Sequence, residues 1–189
     1  MNRPYLLVAA VIWTVWVVSW MIAGLWIART ANEAPRRSYR WFLMLAMLGF
    51  VLLFVQPPDR HALWPVPPWV GWSGIGLVVL GVAFAWWARI QLGRLWSGGI
   101  VRREGHRIVD EGPYAIVRHP IYTALILCGI GVMLIQATLL SIVGAALIAI
   151  GFGLKARVEE RFLAAELGVQ DYAAYRARVP MLVPFARKG

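Results

Sequence analysis

Apolar residues come in long blocks along this chain, separated by short polar stretches. Tyr5 to Ile27 is 23 residues without a charge, long enough to cross a bilayer with some tilt. That length, with only Arg3 ahead of it, sets it apart from a secretory signal peptide. Trp41 to Val55 is a shorter run that Pro57 and Pro58 end. Val70 to Ile90 is a third, with Gly71, Gly74, Gly76 and Gly81 permitting close helix contact. Ile121–Ile135 and Thr138–Leu154 follow, with only Gln136-Ala137 between them. Each of these two legs is about 23–26 Å long as a helix, a little short of the roughly 30 Å hydrocarbon core. The pattern predicts an all-α integral membrane protein with five transmembrane helices, the last two a tight hairpin. Residues 1–189 read as one membrane domain: three N-terminal spans in 1–90, then a loop, the hairpin and C-terminal helices in 91–189.

The polar stretches add detail. The loop from Pro57 to Trp69 carries Pro65, Pro67, Pro68 and Trp64 and reads as an extended interfacial crossing. Gln91 to His119 is the longest polar stretch. Within it Ile100-Val101 and Arg107-Ile108-Val109, around Glu104-Gly105-His106, predict a small β-hairpin. Pro120 fits the first turn of a new helix, where its missing N–H costs nothing. Beyond Lys155 the chain is amphipathic: Phe162, Leu163, Glu166 and Leu167 keep a helical period and Gly168 breaks it. Tyr172 and Tyr175 fall on a second short helix, where interfacial anchoring is the simplest role for both.

Composition supports the membrane reading, since 60% of residues are hydrophobic, mean hydropathy is +0.66 and there are 11 tryptophans. The formal charge of +10 does not mark a nucleic-acid binder, because the basic residues sit between apolar runs and form no stripe. Five spans place 4, 6 and 7 Lys/Arg in loop 28–40, loop 89–119 and the C-terminal segment, which is 17 of 19 on one side. The positive-inside rule then sets the N-terminus outside and the polar loop and C-terminus in the cytoplasm, against anionic membrane lipid. Cys128 is the only cysteine, and His61, His106 and His119 are scattered, so neither a disulfide within the chain nor a structural metal is expected.

The hairpin decides which polar residues can meet. Pro120 lies 17 residues before Ala137 and Leu154 lies 17 after it, so both ends return to one level. Arg118 and His119 are thereby set near Lys155, Arg157, Glu159 and Glu160, with Tyr114 and Tyr122 beside them. Arg118 and His119 could simply snorkel to headgroups, and Glu159 and Glu160 could pair with Arg157 and Arg161 along the helix. A carboxylate pair at an anionic leaflet gains nothing from the lipid, however.

Gly112-Pro113-Tyr114, then Val117-Arg118-His119-Pro120-Ile121-Tyr122, an apolar hairpin, Glu159-Glu160-Arg161-Phe162-Leu163, Gly168, Tyr172, Tyr175 and Val179-Pro180 form an ordered series. It resembles the isoprenylcysteine carboxyl methyltransferase family and, in part, the membrane phospholipid methyltransferases. The similarity starts at Leu92-Gly93-Arg94-Leu95-Trp96-Ser97 and runs to Phe185, about half the chain. The resemblance implies a membrane methyltransferase dependent on S-adenosylmethionine, acting on the carboxylate of a lipidic or isoprenylcysteine-like acceptor delivered by the membrane. It places Tyr114, Val117, Arg118, His119, Pro120, Tyr122, Glu159 and Glu160 around the cofactor, and Lys155, Arg157 and Glu160 at the chemistry. Ala124 stands where the family commonly has glycine, and Lys155 where eukaryotic members have an arginine. Three other readings stay open: a phospholipid or amine N-methyltransferase, an NADPH-dependent membrane reductase of similar architecture, and a non-catalytic scaffold. The sequence does not name the acceptor.

Overall fold

The computed structural model describes residues 3–25, 30–33, 35, 37, 39–55, 62–97, 100–103 and 108–186. Glu104 to Arg107, with His106, and the Pro57–His61 part of the second loop lie outside the described residues.

Five long helices build the body: α1 (Arg3–Ala23), α2 (Arg40–Phe54), α3 (Pro68–Leu92), α5 (Pro120–Gln136) and α6 (Leu139–Leu167). Two short ones, α4 (Pro113–Ile116) and α7 (Val169–Arg178), lie near the ends of α5 and α6. Of these, α1, the α3 segment from Pro68 to Leu95, and α6 from Leu139 to Glu166 are long and apolar enough to cross a membrane. α2 and α5 are apolar but shorter, at 15 and 17 residues. The protein is an integral membrane protein built mainly of helices.

Prolines and polar caps set the boundaries. Pro68, Pro113 and Pro120 each occupy the first turn of their helix, where a missing N–H is no loss. α5 ends in Ala137, which takes the left-handed conformation (φ 55°) and returns its N–H to the Met133 carbonyl. Thr138 and Ser141 then cap α6 reciprocally, each side chain accepting the other's backbone N–H at 3.2 Å. With two residues between them, α5 and α6 fold back on each other, so His119 before α5 reaches Glu160 near the far end of α6. α6 continues unbroken through Lys155 to Leu167, well past the end of the apolar run at Leu154.

Packing is organised in two tight pairs, α3 with α5 and α2 with α6. Glycine faces glycine in both. A Cβ on Gly74 would lie 2.7 Å from the Gly131 carbonyl oxygen, and one on Gly49 2.6 Å from that of Gly144. Any side chain there would force the helices apart. Of the four glycines in α3, Gly71, Gly74 and Gly81 are in such contacts, whereas Gly76 faces open space. The apolar core between the pairs includes Leu53, Val78, Val132, Ile135, Ile148 and Phe152. At the turn end, Gln136 donates to the Leu53 carbonyl at 2.9 Å and Leu63 to that of Ala137 at 2.7 Å.

Among the described residues, the departure from an all-helical fold is a short antiparallel pair at the opposite, loop end. β1 (Thr30–Glu33) pairs with β2 (Val101–Arg103), Glu33 opposite Val101 and Thr30 opposite Arg103, with an irregularity in between. The hairpin expected within 100–109 is therefore replaced: the strand around Val101 takes its partner from the loop between α1 and α2, and Ile108-Val109 is not strand. A partner 70 residues away in sequence leaves no local turn signal to read.

Candidate functional site

At the loop end the start of α5, the distal part of α6, and α7 converge on the segment before Pro120. Gly112 adopts φ 59°, in the left-handed region that favours glycine, and this lets the chain turn sharply into α4. From there Val117 is extended, and the backbone of Arg118 and His119 pairs with the C-terminal segment. Arg118 N–H donates to the Pro180 carbonyl at 2.9 Å and His119 N–H to that of Met181 at 3.1 Å. Thr123 adds a hydroxyl donated to the Leu182 carbonyl at 2.6 Å. The motif is held from both sides before any ligand is considered.

An ion cluster lies behind it. Arg118 donates Nε–H to Glu160 Oε1 at 2.6 Å, with both side chains buried. Its Nη1 reaches the Val179 and Arg176 carbonyls at 2.5 and 3.1 Å. His119 Nε2 shares the same Glu160 oxygen at 3.2 Å, and Arg176 Nε stands 3.6 Å from Oε2. One carboxylate thus neutralises a buried guanidinium and orients an imidazole, the arrangement a buried charge requires.

In front of this cluster is a stack. The His119 ring lies parallel to Tyr122 (centroids 5.3 Å, 2° between planes), and Tyr122 in turn on Phe152 (5.0 Å, 21°). Tyr122 donates its hydroxyl to Glu159 at 2.5 Å, and the buried Lys155 ammonium sits 4.8 Å from the Tyr122 ring centre. One phenol ring is therefore flanked by a cation, an anion and two π-faces.

These groups line a cavity of about 250 Å³. Tyr114, Arg118, His119, Tyr122, Lys155 and Glu159 form its polar side, closed by Tyr172 and Tyr175 of α7. Trp16 and Trp20 of α1, Leu43 of α2, Leu92 at the end of α3, and Leu95 and Trp96 after it form its apolar side. Buried Arg89 backs that side: it donates to the Gly93 carbonyl and, at 2.7 Å, to that of Ala23, and it lies 4.6 Å from the Trp96 ring centre. A single guanidinium thus joins the end of α1 to the turn that carries Trp96.

The residues singled out from the sequence separate into three groups here. Tyr114, Arg118, His119, Pro120, Tyr122, Lys155 and Glu159 line the cavity. Val117 and Glu160 are buried and outside the lining: Val117 is fully covered, and Glu160 grips Arg118 and His119 from the rear. Arg157 is exposed and apart from the lining, because its position on α6 points it away from the face that carries Lys155 and Glu159.

Tyr172 and Tyr175 are a correction, since anchoring at the lipid interface was the expectation. Both are buried, and Tyr175 donates to the Tyr114 carbonyl at 2.7 Å. Burial, the leading cause for each, raises the phenols of Tyr114, Tyr172 and Tyr175 above their ordinary value, and Glu159 or Glu160 nearby raises them further. All three therefore keep their hydroxyl protons at neutral pH. Their i, i+3 spacing was a signal for one face of a helix, without saying which surroundings that face meets. The wall from α1 went unread for the same reason, since Trp16 and Trp20 sit in a uniformly apolar run.

Among the described residues no group of three or more His, Cys, Asp or Glu comes together as a metal site would require.

Comparison with known proteins places this geometry. The model of the isoprenylcysteine carboxyl methyltransferase (ICMT) family matches residues 74–165. Protein-S-isoprenylcysteine O-methyltransferase B of Arabidopsis thaliana is 28% identical over 152 residues, covering 79% of this chain and 75% of that protein. The cobalt-zinc-cadmium resistance protein CzcN of Cupriavidus metallidurans is 32% identical over 149 residues, covering 76% of this chain and 62% of its own. Among solved structures, a eukaryotic intramembrane Ras methyltransferase, ICMT, shares the fold with a TM-score of 0.59 at 23% identity. That match covers 77% of this chain, which spans about half (53%) of the solved one. The family match begins in α3 and ends in α6, so it contains the Arg118-His119-Pro120 segment and the Glu159-Glu160 pair that the fold brings together. From α3 to α6 this chain is thus similar to the isoprenylcysteine carboxyl methyltransferase family, whose members are membrane methyltransferases.

Proposed function

We propose that this protein is an integral membrane methyltransferase that uses S-adenosylmethionine to O-methylate the carboxylate of a lipidic, isoprenylcysteine-like acceptor. The observation that carries the reading is the two-sided cavity, polar and charged on one wall and apolar and tryptophan-rich on the other. A water-soluble donor and a lipidic acceptor need such a pair of walls facing one space.

The polar wall suits the donor's chemistry. Glu159 offers an anion for an ammonium or for ribose hydroxyls, and the stacked faces of Tyr122 and Phe152 offer π-density to a cation. Tyr114, Arg118, His119, Pro120 and Tyr122 would hold it directly, while Val117 and Glu160 support them from behind. When bound, S-adenosylmethionine supplies a methyl group on a positively charged sulfur.

The chain's own contribution is placement and exclusion of water. An acceptor carboxylate is ionised at neutral pH, so the site needs no general base. Lys155, buried in the polar side of the cavity, is the cation that would orient this carboxylate. Its contact with the Tyr122 ring moderates the pairing, which favours reactivity because a fully paired carboxylate is a poorer nucleophile. Arg157, the other candidate, is exposed. Alignment of two reactants in a dry site contributes on the order of 7–11 kcal/mol to lowering a barrier.

Five crossings accommodate this arrangement. α2 and α5 are short for a roughly 30 Å core, but each packs along a longer neighbour, α6 and α3 respectively. Five spans leave 17 of the 19 basic residues in the sequence segments on one side, so that side and the C-terminus face the cytoplasm and the N-terminus lies outside. Titration calorimetry of the purified protein in detergent tests the reading: S-adenosylmethionine or its demethylated product binds, and radiolabelled methyl is transferred to a prenylated cysteine. Absence of any binding at millimolar ligand would overturn it.

A further inference from the structure

α1 packs on α3 and α5, whereas α2 packs on α6 and α5, and the two make little contact with each other. At the loop end both contribute to the cavity, α1 through Trp16 and Trp20 and α2 through Leu43. Seven residues deeper along each helix, Trp13 lies seven before Trp20 and Phe50 seven after Leu43. There the two helices meet. Trp13 and Phe50 stand edge to face with centroids 5.2 Å apart and planes at 77°.

The pair is fastened to the cavity wall from both sides. Trp13 stands edge-on to Trp16 (5.1 Å, 84°), and Phe50 edge-on to Phe152 (6.4 Å, 70°). Trp16 and Phe152 line the cavity, whereas Trp13 and Phe50 do not. Two aromatic side chains thus bridge the gap between α1 and α2 just behind the apolar wall. The indole N–H groups of Trp13 and Trp16 are buried without a hydrogen-bond partner among the described residues. Both bridging residues lie outside 74–165 and belong to this chain's own N-terminal helices.

We propose that Trp13 and Phe50 form a chain-length gauge for the acceptor. They close the apolar compartment about two helical turns, roughly 10 Å, below its loop end. That is less than the roughly 15 Å half-thickness of the bilayer core. An acceptor tail lying between α1 and α2 meets this floor, and a tail longer than the depth must bend back or stay outside. The gauge rests on the methyltransferase reading above and adds a limit on which lipidic acceptors are taken.

The test uses the full protein in lipid nanodiscs with N-acetylcysteine carrying a geranyl, farnesyl or geranylgeranyl thioether. The wild type prefers geranyl over geranylgeranyl by kcat/KM. Phe50→Ala and the milder Phe50→Leu shift that ratio toward the longer tail, Phe50→Ala on the order of tenfold. Met47→Ala, at an exposed position of α2, leaves it unchanged. Equal use of the three acceptors by the wild type, or an unchanged ratio in both Phe50 variants with donor binding intact, overturns the gauge. Failure of the wild type to bind the donor at all is a different result, and it removes the methyltransferase reading together with the gauge.

Discussion

Arg118 and Glu160 lie 42 positions apart and meet through a 2.6 Å Nε–Oε1 hydrogen bond with almost no solvent exposure. The contact locks the start of α5 to the distal part of α6, and Glu160 carries His119 in the same grip. Removing the carboxylate leaves a buried guanidinium without its counter-charge, which costs about 3–5 kcal/mol. Glu160→Ala is therefore expected to lower the melting temperature in detergent and weaken donor binding together. Glu160→Asp, which keeps the charge but shortens the reach, recovers part of both.

Lys155 and Arg157 separate by placement. Lys155→Met removes the buried cation beside Tyr122 while keeping much of the side-chain volume. It is expected to raise KM for a carboxylate acceptor and lower kcat, with donor affinity little changed. Arg157→Ala, at an exposed position, leaves steady-state kinetics within twofold or so of the wild type, in line with the ±0.5 kcal/mol usual for such surfaces.

Tyr175→Phe deletes one hydroxyl that donates to the Tyr114 carbonyl at 2.7 Å. A buried carbonyl loses its partner, at a cost of about 1–3 kcal/mol. Loosening α7 from α4 at the cavity's edge is expected to raise the donor's dissociation rate more than it slows association, measurable by stopped-flow fluorescence.

Burial raises the phenols of Tyr114, Tyr172 and Tyr175. Their stabilising contribution is complete below the unfolded value of about 10 and is lost as pH rises above it, because the unfolded chain then releases protons that the folded one keeps. Stability toward denaturant is expected to hold up to about pH 10 and fall beyond it. Near-ultraviolet phenolate absorbance from these three residues should appear together with unfolding, and titration of all six tyrosines near pH 10 in the folded protein would contradict this.

Gly131→Leu sets a side chain where a Cβ alone would lie 2.5 Å from the Gly74 carbonyl oxygen. Parting α3 from α5 should cost at least the 1–3 kcal/mol typical of overpacking and reduce the yield of monodisperse protein in detergent. Gly76→Leu, facing open space on α3, should be tolerated.

The sequence by itself determined that the chain is a mainly helical integral membrane protein, and it brought two separated polar segments together. Uncharged blocks of membrane length identify helices without reference to their neighbours, because a bilayer imposes the same demand on every segment that enters it. The two-residue break at Gln136-Ala137 also made the meeting of Arg118-His119 with Glu159-Glu160 legible, since equal helical legs return to one level. Tertiary structure alone decided which side of each element faces the cavity. It put Arg157 outside, Glu160 behind the wall, and Tyr172 and Tyr175 inside it. It also supplied the opposite wall from Trp16, Trp20 and Trp96, and gave the strand at Val101 a partner in β1. In a helix that is apolar all round, no periodicity separates the face that meets lipid from the face that meets a ligand. That distinction exists only once the neighbouring helices are in place.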